Sequence, residues 1–349
     1  MKLQVLTMTY KTMFFCMILL ASLGVSENLK ADSIENSAMN STTNNERASW
    51  KPPQEGHLEA FLGEAKLEIQ PLFNGGRFPN IVVALDGTVI ATWWDDNGYK
   101  VRRSTDGGEH WEPEVLIATP GFHGGGVIVD EVTGDILVFT EEHHPPSPPP
   151  LVYRSQDNGI SWAADVDTLI HPLHRKPGGI IPSMHMDEHG ITLRFGAHRG
   201  RLIRSASNYM GGIISGGSAD AFCNAIYSDD GGMTWDTSTP FPAFGTNEAA
   251  IAELSDGQIL FIARRHLGTD GLNTFMKHLA WSHDGGETWR DLKVSPALPD
   301  GNTNTRYGLM HGLVRLPIDG HDILIFSNIV SDTRRERGTV WASFDAGQT

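Results

Sequence analysis

One eight-residue pattern, S-x-D-x-G-x-x-W, constrains the fold of this chain more than any other feature of its sequence. Four complete copies begin at Ser104, Ser155, Ser228 and Ser282, so 51, 73 and 54 residues separate the starts of successive copies. A fifth copy begins at Ser343, and the sequence ends one position before the expected tryptophan. Spacings of this length suit one four-stranded blade for each copy, so the repeat predicts a β-propeller.

The residue types of the pattern explain why it forms a compact turn. The serine and aspartate side chains can bond nearby backbone amides, and the glycine supplies a positive φ. The tryptophan then covers the turn with apolar surface. We therefore expect each copy to be a closed turn between two strands.

Short apolar runs separated by Gly, Asp and Asn fill the chain from about Ala60 onward. Four of them have strand length and turn residues on their flanks, over 80–93, 134–140, 256–264 and 321–328. Two carry an Asp-Gly pair between apolar stretches, which predicts a hairpin. Because no segment keeps an amphipathic helical period over three turns, the sequence predicts an all-β protein.

The charge balance limits the partners of the chain. Its 27 Lys and Arg against 42 Asp and Glu give a formal net charge of −15. We therefore do not expect nonspecific nucleic-acid binding, because neutralising phosphates needs a basic surface. An anionic small substrate would need a local cluster of arginines within this acidic molecule.

The N-terminus is typical of an exported protein. Lys2 and Lys11 precede an apolar run over 13–25 with small residues after it, as in a signal peptide, and the run is short for a membrane span. We expect a signal peptide over 1–26, a secreted or periplasmic protein, and no membrane span after cleavage. Cys16 lies in the signal, so Cys223 is alone and no intrachain disulfide is expected.

The remainder divides into a linker and one domain. Residues 27–58 are mostly polar, and their Asn/Ser/Thr-rich part contains a formal glycosylation sequon at Asn40. Such a segment buries too little apolar surface to fold, so it predicts a linker. Residues 59–349 carry the repeats and form the predicted propeller.

The repeated octets resemble the Asp-box, or BNR repeat, of the sialidase superfamily, and the resemblance covers about residues 60–349. It implies a six-bladed β-propeller of the sialidase type, with the last blade incomplete in this chain. In that family the boxes lie on hairpins at the blade periphery, remote from the active site. The resemblance therefore implies structural roles for the four box aspartates, Asp106, Asp157, Asp230 and Asp284. Since such boxes occur in propellers of many functions, the chemistry must come from other residues.

Three arginines match the sialidase clamp for a substrate carboxylate, whose two oxygens the planar guanidinium fork can bond. Arg77 resembles the arginine of the family's Arg-Ile-Pro motif, with Phe78 in place of isoleucine. Arg264 closes a stretch similar to the family segment in which a glutamate precedes a strand pair and an arginine ends it. Arg335 matches the third arginine, eight residues before the fifth octet. Arg265, Arg334 and Arg337 are neighbours that a one- or two-residue register difference would put in their places.

The resemblance also implies a base and an acid. Sialidases use a tyrosine nucleophile, because a carboxylate would be repelled by the anionic substrate. Glu248 matches the glutamate that takes the tyrosine proton, and Asp95 and Asp96 lie about where the family has its general acid. Their loop is shorter than the family's, so a plain Asp-Asn-Gly turn is an alternative. Glu141 or Glu142 could then act as the acid.

No tyrosine of this sequence is assigned as the nucleophile. In the family that tyrosine follows the fifth Asp-box region, which this chain does not contain, so we expect residues 1–349 alone to be inactive. Tyr227 and Tyr307 lie at other points of the pattern and are expected to be packing residues.

Histidine is abundant, with 15 residues, and forms local groups around 122–125, 141–146 and 184–189. None has standard zinc spacing, and glycosyl transfer through tyrosine needs no metal, so we expect pocket-lining histidines and no metal or cofactor. The sequence thus predicts an exo-α-sialidase that hydrolyses terminal sialic acid from glycoconjugates with retention. The alternative is a sialidase-fold propeller that acts on or binds another acidic glycan.

Overall fold

The computed structural model describes residues 69–348, apart from 143–148, 184–187, 209–219, 266, 301–309, 317–321 and 331–337. The predicted signal peptide, nearly all of the linker and the sequon at Asn40 precede this part of the chain. Within the described residues, none of the helical segments has the length and apolar character needed to cross a membrane.

Five antiparallel sheets follow one another along the chain, as in a β-propeller. The first comprises β1 (Arg77–Val83), β2 (Val89–Asp95), β3 (Gly98–Ser104) and β4 (Val115–Ala118); the second comprises β5 (Phe122–Val129), β6 (Ile136–Glu141), β7 (Leu151–Ser155) and β8 (Ala163–Ala164). The third contains β9 (Leu169–Ile170), β10 (Ile191–Thr192), β11 (Leu202–Asn208), β12 (Phe222–Ser228) and β13 (Thr234–Thr237). The fourth contains β14 (Thr246–Glu253), β15 (Ile259–Arg265), β16 (Met276–Ser282) and β17 (Arg290–Pro299), and the fifth contains β18 (Gly312–Arg315), β19 (Leu324–Ile329) and β20 (Gly338–Ser343).

The sheets are meanders, in which each strand pairs with the next along the chain. The third sheet differs, because β9 adds to its outer edge in parallel with β13, in the order β10-β11-β12-β13-β9. A short 3-10 turn over Leu173–Arg175 follows β9. The prediction of an all-β chain is confirmed for the described residues.

The hairpin predicted over 80–93 joins β1 to β2. Gly87 has φ 88° in its turn, and its N–H donates to the carbonyl of Ala84 at 2.9 Å. The side chain of Asp86 accepts a bond from the N–H of Thr88 at 2.9 Å. The Asp-Gly pair therefore closes this turn as the sequence predicts.

Four apolar clusters hold the sheets together, and each lies between one sheet and the next. Ile90 and Val138 belong to the cluster between the first and second sheets. Phe139 and Trp235, in edge contact with ring centroids 5.4 Å apart, belong to the next. The two remaining clusters join the third sheet to the fourth and the fourth to the fifth. Among the described residues, no such cluster joins the fifth sheet to the first.

The first octet forms the closed turn that its residue types predict. Ser104 Oγ donates to Asp106 Oδ1 at 2.8 Å and accepts the N–H of Gly108 at 2.8 Å. Asp106 Oδ1 also accepts the N–H of His110 at 2.9 Å. The indole N–H of Trp111 donates to the carbonyl of Gly108 at 3.1 Å and closes the turn.

The other octets repeat this geometry with small differences. The serine-to-aspartate bond recurs in all of them, at 2.7 to 2.8 Å. The glycine at the fifth position has φ between 80° and 96° in every copy, and the fourth position also lies in the left-handed region. In the fourth copy Trp289 donates to Ser238 Oγ at 3.0 Å instead of to the turn. The predicted structural geometry of the box aspartates is therefore confirmed.

Candidate active site

Strand direction separates two ends of each sheet. In the first sheet β1 begins, β2 ends and β3 begins at one end, which we call the upper end; the octet turn after β3 lies at the lower end. The same strand order recurs in the other sheets. The upper ends of neighbouring sheets are in contact. Between the second and third sheets, Ser183 Oγ donates to Glu141 Oε1 at 3.0 Å. Arg77, Asp95, Glu248 and Arg264 therefore all belong to upper ends.

Arg77 begins β1 and is exposed, with its guanidinium carbon 4.5 Å from the ring centroid of Phe78. Phe78 has φ 52°, a left-handed conformation that is uncommon for a bulky residue. The β1–β2 register shifts between Arg77 and Asn80 at the same point. Such a bulge re-aims side chains at the end of a strand.

Glu248 lies at an equivalent bulge in the fourth sheet. Asn247 pairs with Arg264 and Ala249 pairs with Ala263, so Glu248 is the extra residue of β14. It has φ 48° and is only 6% exposed. The first strands of the first and fourth sheets, β1 and β14, thus both begin at the upper end with a bulge and a residue of positive φ.

Arg264 forms a buried ion pair with Glu248, in which the guanidinium Nη1 donates to Oε2 of the carboxylate. The arginine is 3% exposed. Its Nε is buried and has no hydrogen-bond partner among the described residues. Since buried polar groups are nearly always bonded, this N–H needs an acceptor that the described residues do not supply.

Lys277 and Asp300 form a second buried pair beside the first. The Nζ of Lys277 donates to Oδ1 of Asp300, and both side chains are 0% exposed. The pairing of Ala263 with His278 places Arg264 and Lys277 at adjacent positions of β15 and β16. Burial lowers the pKa of Lys277 and raises the pKa of Asp300, while their contact opposes both shifts.

Arg265 points to the opposite face of the sheet from Arg264, as successive strand residues do. Its Nε donates to the carbonyl of Phe244 at 2.9 Å, its Nη2 lies 2.8 Å from Asp270, and its Nη1 lies 3.3 Å from His278 Nε2. These three partners occupy the N–H groups of Arg265 within the protein. Arg264 is therefore the better placed of the two for a clamp.

Asp95 is bonded within its own hairpin at the upper end of the first sheet. Its Oδ1 accepts the N–H of Asn97 at 2.8 Å, and its Oδ2 accepts the ammonium of Lys100 at 2.8 Å. Burial raises the pKa of Asp95, but the bonds from Lys100 and Asn97 outweigh it and lower that pKa below its ordinary value. Asp95 is thus held as a carboxylate, whereas a general acid must carry a proton. Asp96 is exposed in the turn.

A cleft of about 350 Å³ adjoins Asp95 and Lys100 on this sheet. Phe73 stacks on Trp93 in its wall, with ring centroids 4.5 Å apart. Lys100 also pairs with Glu114 at 3.1 Å. The cleft is polar and carries both signs of charge.

The alternative acids and the tyrosines lie in different places. Glu141 ends β6 and is 2% exposed, whereas Glu142 is exposed. Tyr227 ends β12 toward the lower end, stacks against Arg201 at 4.3 Å and packs on the core between the third and fourth sheets. Burial raises the pKa of Tyr227 to about 12. Its predicted packing role is confirmed, and Tyr307 lies outside the described residues.

Arg335, the third predicted clamp arginine, lies outside the described residues, as do its neighbours Arg334 and Arg337. The same holds for three histidines, His143, His144 and His185, in the segments 143–148 and 184–187. Among the described residues, the group that could hold a metal ion is Asp106, Glu109 and His110 in the first octet, all exposed.

Lys277 and Asp300 were not among the predicted site residues. A signal for Lys277 existed, because Lys277, Leu279 and Trp281 alternate along one strand and the last two predict a buried face. Asp300 stands in a Pro-Asp-Gly sequence, which resembles an ordinary turn. Nothing in that pattern indicates a buried carboxylate.

Known proteins share both the sequence pattern and the fold. Residues 95–349 match the profile of the BNR repeat-like domain. A sialidase of Micromonospora viridifaciens is 29% identical over 311 residues, covering 79% of this chain and 45% of that protein. A sialidase of Bacteroides fragilis is 24% identical over 314 residues, covering 78% of this chain and 53% of that protein. The chain spans about half the length of these curated relatives.

Two solved structures illustrate the likeness of fold. A Hadza microbial sialidase superposes with a TM-score of 0.59 at 24% identity, over 78% of this chain and 57% of that one. The intramolecular trans-sialidase from Ruminococcus gnavus, in complex with oseltamivir carboxylate, gives 0.57 at 16% identity, over 78% and 80%. At these identities the likeness concerns the fold alone.

Proposed function

Because this chain belongs to the BNR repeat-like family and is a propeller of the sialidase type, we propose that the full-length protein is an exo-α-sialidase. The observation that carries this proposal is the buried Arg264–Glu248 pair at the upper end of the fourth sheet. The Nε–H of its arginine is buried and has no hydrogen-bond partner in the described part of the chain, and its glutamate is the residue that the family resemblance assigns as the base. Both lie where β14 bulges and β15 ends.

Substrate recognition in this proposal depends on three guanidinium groups. Arg77, Arg264 and Arg335 bind the carboxylate of a terminal sialic acid, each supplying N–H donors in a planar fork. Arg77 and Arg264 come from upper ends of different sheets, as the clamp requires. Such a cluster of arginines would give a protein of net charge −15 a local positive site for an anionic sugar.

The chemistry then proceeds in two displacements with net retention. A tyrosine that we do not assign in this sequence attacks the anomeric carbon while Glu248 takes its phenolic proton, and the bond to the leaving oxygen breaks. Asp96 gives its proton to that oxygen, with Glu141 or Glu142 as the alternative donor, since the bonds from Asn97 and Lys100 hold Asp95 as a carboxylate. Water then attacks the same carbon, the general acid takes a proton from it, and the tyrosine recovers its proton from Glu248.

We also propose that the five sheets belong to a six-bladed ring. In the first four sheets a further strand pairs beyond the third, whereas the fifth sheet has three strands before its octet. The clusters that join each sheet to the next are consistent with a ring, and a sixth blade would lie between the fifth sheet and the first.

Export to the periplasm or the outside of the cell is proposed from the N-terminal sequence.

The direct test is hydrolysis of a fluorogenic aryl sialoside by the full-length protein, beside its Arg264→Lys variant. Lysine keeps a positive charge next to Glu248 but lacks the fork, so the variant should lose most of the activity and keep its fold. Absence of turnover by the folded wild type would reject the sialidase proposal. Equal turnover by both proteins would reject the clamp.

A second candidate is a sialidase-fold propeller that binds or cleaves another acidic glycan. The bonded state of Asp95 favours the binding role, because a carboxylate held by Lys100 is a poor proton donor for cleavage of any glycoside. Calorimetric titration with a glucuronide and with sialic acid separates the two. Tighter binding of the glucuronide, without sialoside turnover, would support this candidate over the first.

A further inference from the structure

We propose that Lys277 and Asp300 form a positioning pair that orients Arg264 and adds positive potential where the substrate carboxylate binds, an inference that rests on the function proposed above. Neither residue was singled out by the family resemblance. The pair lies wholly inside the protein, directly beside the proposed clamp arginine.

Four charged side chains form a row across the upper end of the fourth sheet. Their order is Glu248 on β14, Arg264 on β15, Lys277 on β16 and Asp300 just after β17, so two cations stand between two carboxylates. The charge of Arg264 acts on both Lys277 and Asp300. Because the pairing of Ala263 with His278 makes Arg264 and Lys277 cross-strand neighbours on one face of the sheet, the two cations lie side by side.

Lys277 keeps Asp300 from competing for Arg264. Asp300 accepts the ammonium of Lys277 with one oxygen and the backbone N–H of Arg265, at 3.0 Å, with the other. Without the ammonium, this buried carboxylate would attract the neighbouring guanidinium. With it, Arg264 pairs with Glu248 and retains an N–H for a ligand.

Two like charges beside each other in a protein interior are unfavourable, so packing alone does not explain the arrangement. Apolar residues of similar volume would fill this space at least as stably as a buried ion pair. An approaching carboxylate, in contrast, is attracted by both cations. The row is suited to binding an anion more than to stabilising the sheet.

The pair also connects with the fifth sheet. The carbonyl of Pro299, next to Asp300, accepts the side-chain N–H of Asn328 at 2.6 Å. The Oδ1 of Asn328 in turn accepts the indole N–H of Trp341 at 2.8 Å. Trp341 lies on β20, the strand that follows Arg335 in the sequence. Asp300 thus adjoins a hydrogen-bonded path between the sheet of Arg264 and the strand after Arg335.

The test compares a carboxylate ligand with its neutral form. The 2,3-dehydrated analogue of sialic acid and its methyl ester are titrated calorimetrically into the full-length protein and into Lys277→Met/Asp300→Asn, which removes both charges and leaves neither one unpaired. We expect the acid to bind the double variant at least tenfold more weakly, and the ester to change by less than about twofold. The control variant Arg194→Met/Glu131→Gln removes an ion pair at the lower end and should change neither affinity.

Asp300→Asn alone is the second variant, because it keeps an acceptor for the N–H of Arg265 while releasing the ammonium. Because it removes a negative charge beside the two cations and leaves no carboxylate to compete for Arg264, it should strengthen binding of the acid and spare the ester, so either folded variant decides the question. Equal loss for acid and ester, or an unchanged ratio, would overturn the positioning role while leaving the sialidase proposal intact. A wild type that binds the acid no better than the ester would reject the carboxylate clamp itself, and this role with it.

Discussion

At the scale of single residues, the stability of the upper end depends on charges that balance each other inside the protein. Replacing Arg264 by alanine leaves the carboxylate of Glu248 buried beside no guanidinium. The free energy of unfolding should then fall by about 3–5 kcal/mol. Arg264→Met/Glu248→Gln removes both charges together and should cost much less. Urea unfolding at pH 7 measures both, and equal losses would mean that leaving the carboxylate of Glu248 without its guanidinium does not destabilise the fold.

His278 predicts a specific pH dependence of stability. Its Nδ1 donates to the carbonyl of Met276 at 3.0 Å, and its Nε2 accepts from Arg265. Burial, with a contribution from the charge of Arg265, lowers its pKa from 6.5 to about 4. The unfolded chain therefore binds more protons between pH 6.5 and 4, so stability is fully present above 6.5 and falls as the pH decreases toward 4.

The size of this effect is at most about 3 kcal/mol, the free energy of a shift of that magnitude. His278→Gln should remove the corresponding part of the stability change between pH 8 and pH 4.5. The difference between the two proteins at pH 8, where the histidine is neutral in both states, reports the packing change alone. If that difference is the same at pH 4.5, the buried imidazole does not titrate as described.

Single residues also show the limits of sequence reasoning. The pair of Glu248 and Arg264 was predicted as a set from one stretch of sequence, and the structure brings both side chains into contact. The bonded state of Asp95 was not predicted, since it depends on where β3 places Lys100 opposite β2. Such cross-strand partners are determined by register, which short motifs do not contain.

At the scale of elements, the octet turns depend on backbone conformation more than on contacts. The fourth position is left-handed in each copy, as Gly107 at φ 73°, Asn158 at 54° and Ala346 at 60° illustrate. A side chain at Gly107 would meet nothing within 4 Å. Gly107→Ala should therefore lower the free energy of unfolding by about 1 kcal/mol, through the left-handed backbone alone.

Ala346→Gly is the matched change in the opposite direction, because it relieves the same conformation in the fifth octet. It should leave stability unchanged or raise it by up to about 1 kcal/mol, since glycine also adds entropy to the unfolded chain. Thermal unfolding of the two variants beside the wild type checks both signs. A stabilising Gly107→Ala would contradict the turn geometry.

The strands and octets were predictable because their signals are local. The hairpin of β1 and β2, and the strands β6, β15 and β19, lie where alternating apolar runs and turn residues predict them. The bulges at Phe78 and Glu248 were not predicted, because neither position holds a glycine or another residue that favours positive φ. The parallel addition of β9 to the third sheet likewise depends on a partner distant in sequence.

At the scale of the whole molecule, the propeller places two of the predicted clamp arginines at the upper ends of different sheets and the octets at the opposite ends. The repeat predicted this separation only through the family resemblance, since the spacing of the copies says nothing about which end binds a ligand. The segment with Arg335 lies outside the described residues. The third arm of the clamp therefore stays a prediction.

The most direct measurement is calorimetric titration of the dehydrated sialic acid analogue into the full-length protein, its Arg77→Ala variant and its Arg264→Lys variant. Arg77 is exposed, so its loss should leave the fold intact and report the ligand contact. A charge-assisted bond of about 1.5–3 kcal/mol predicts roughly ten- to a hundredfold weaker binding for Arg77→Ala, and a partial loss for Arg264→Lys. Unchanged affinity in both variants would contradict the proposal that the upper end binds a sialic acid carboxylate through these arginines.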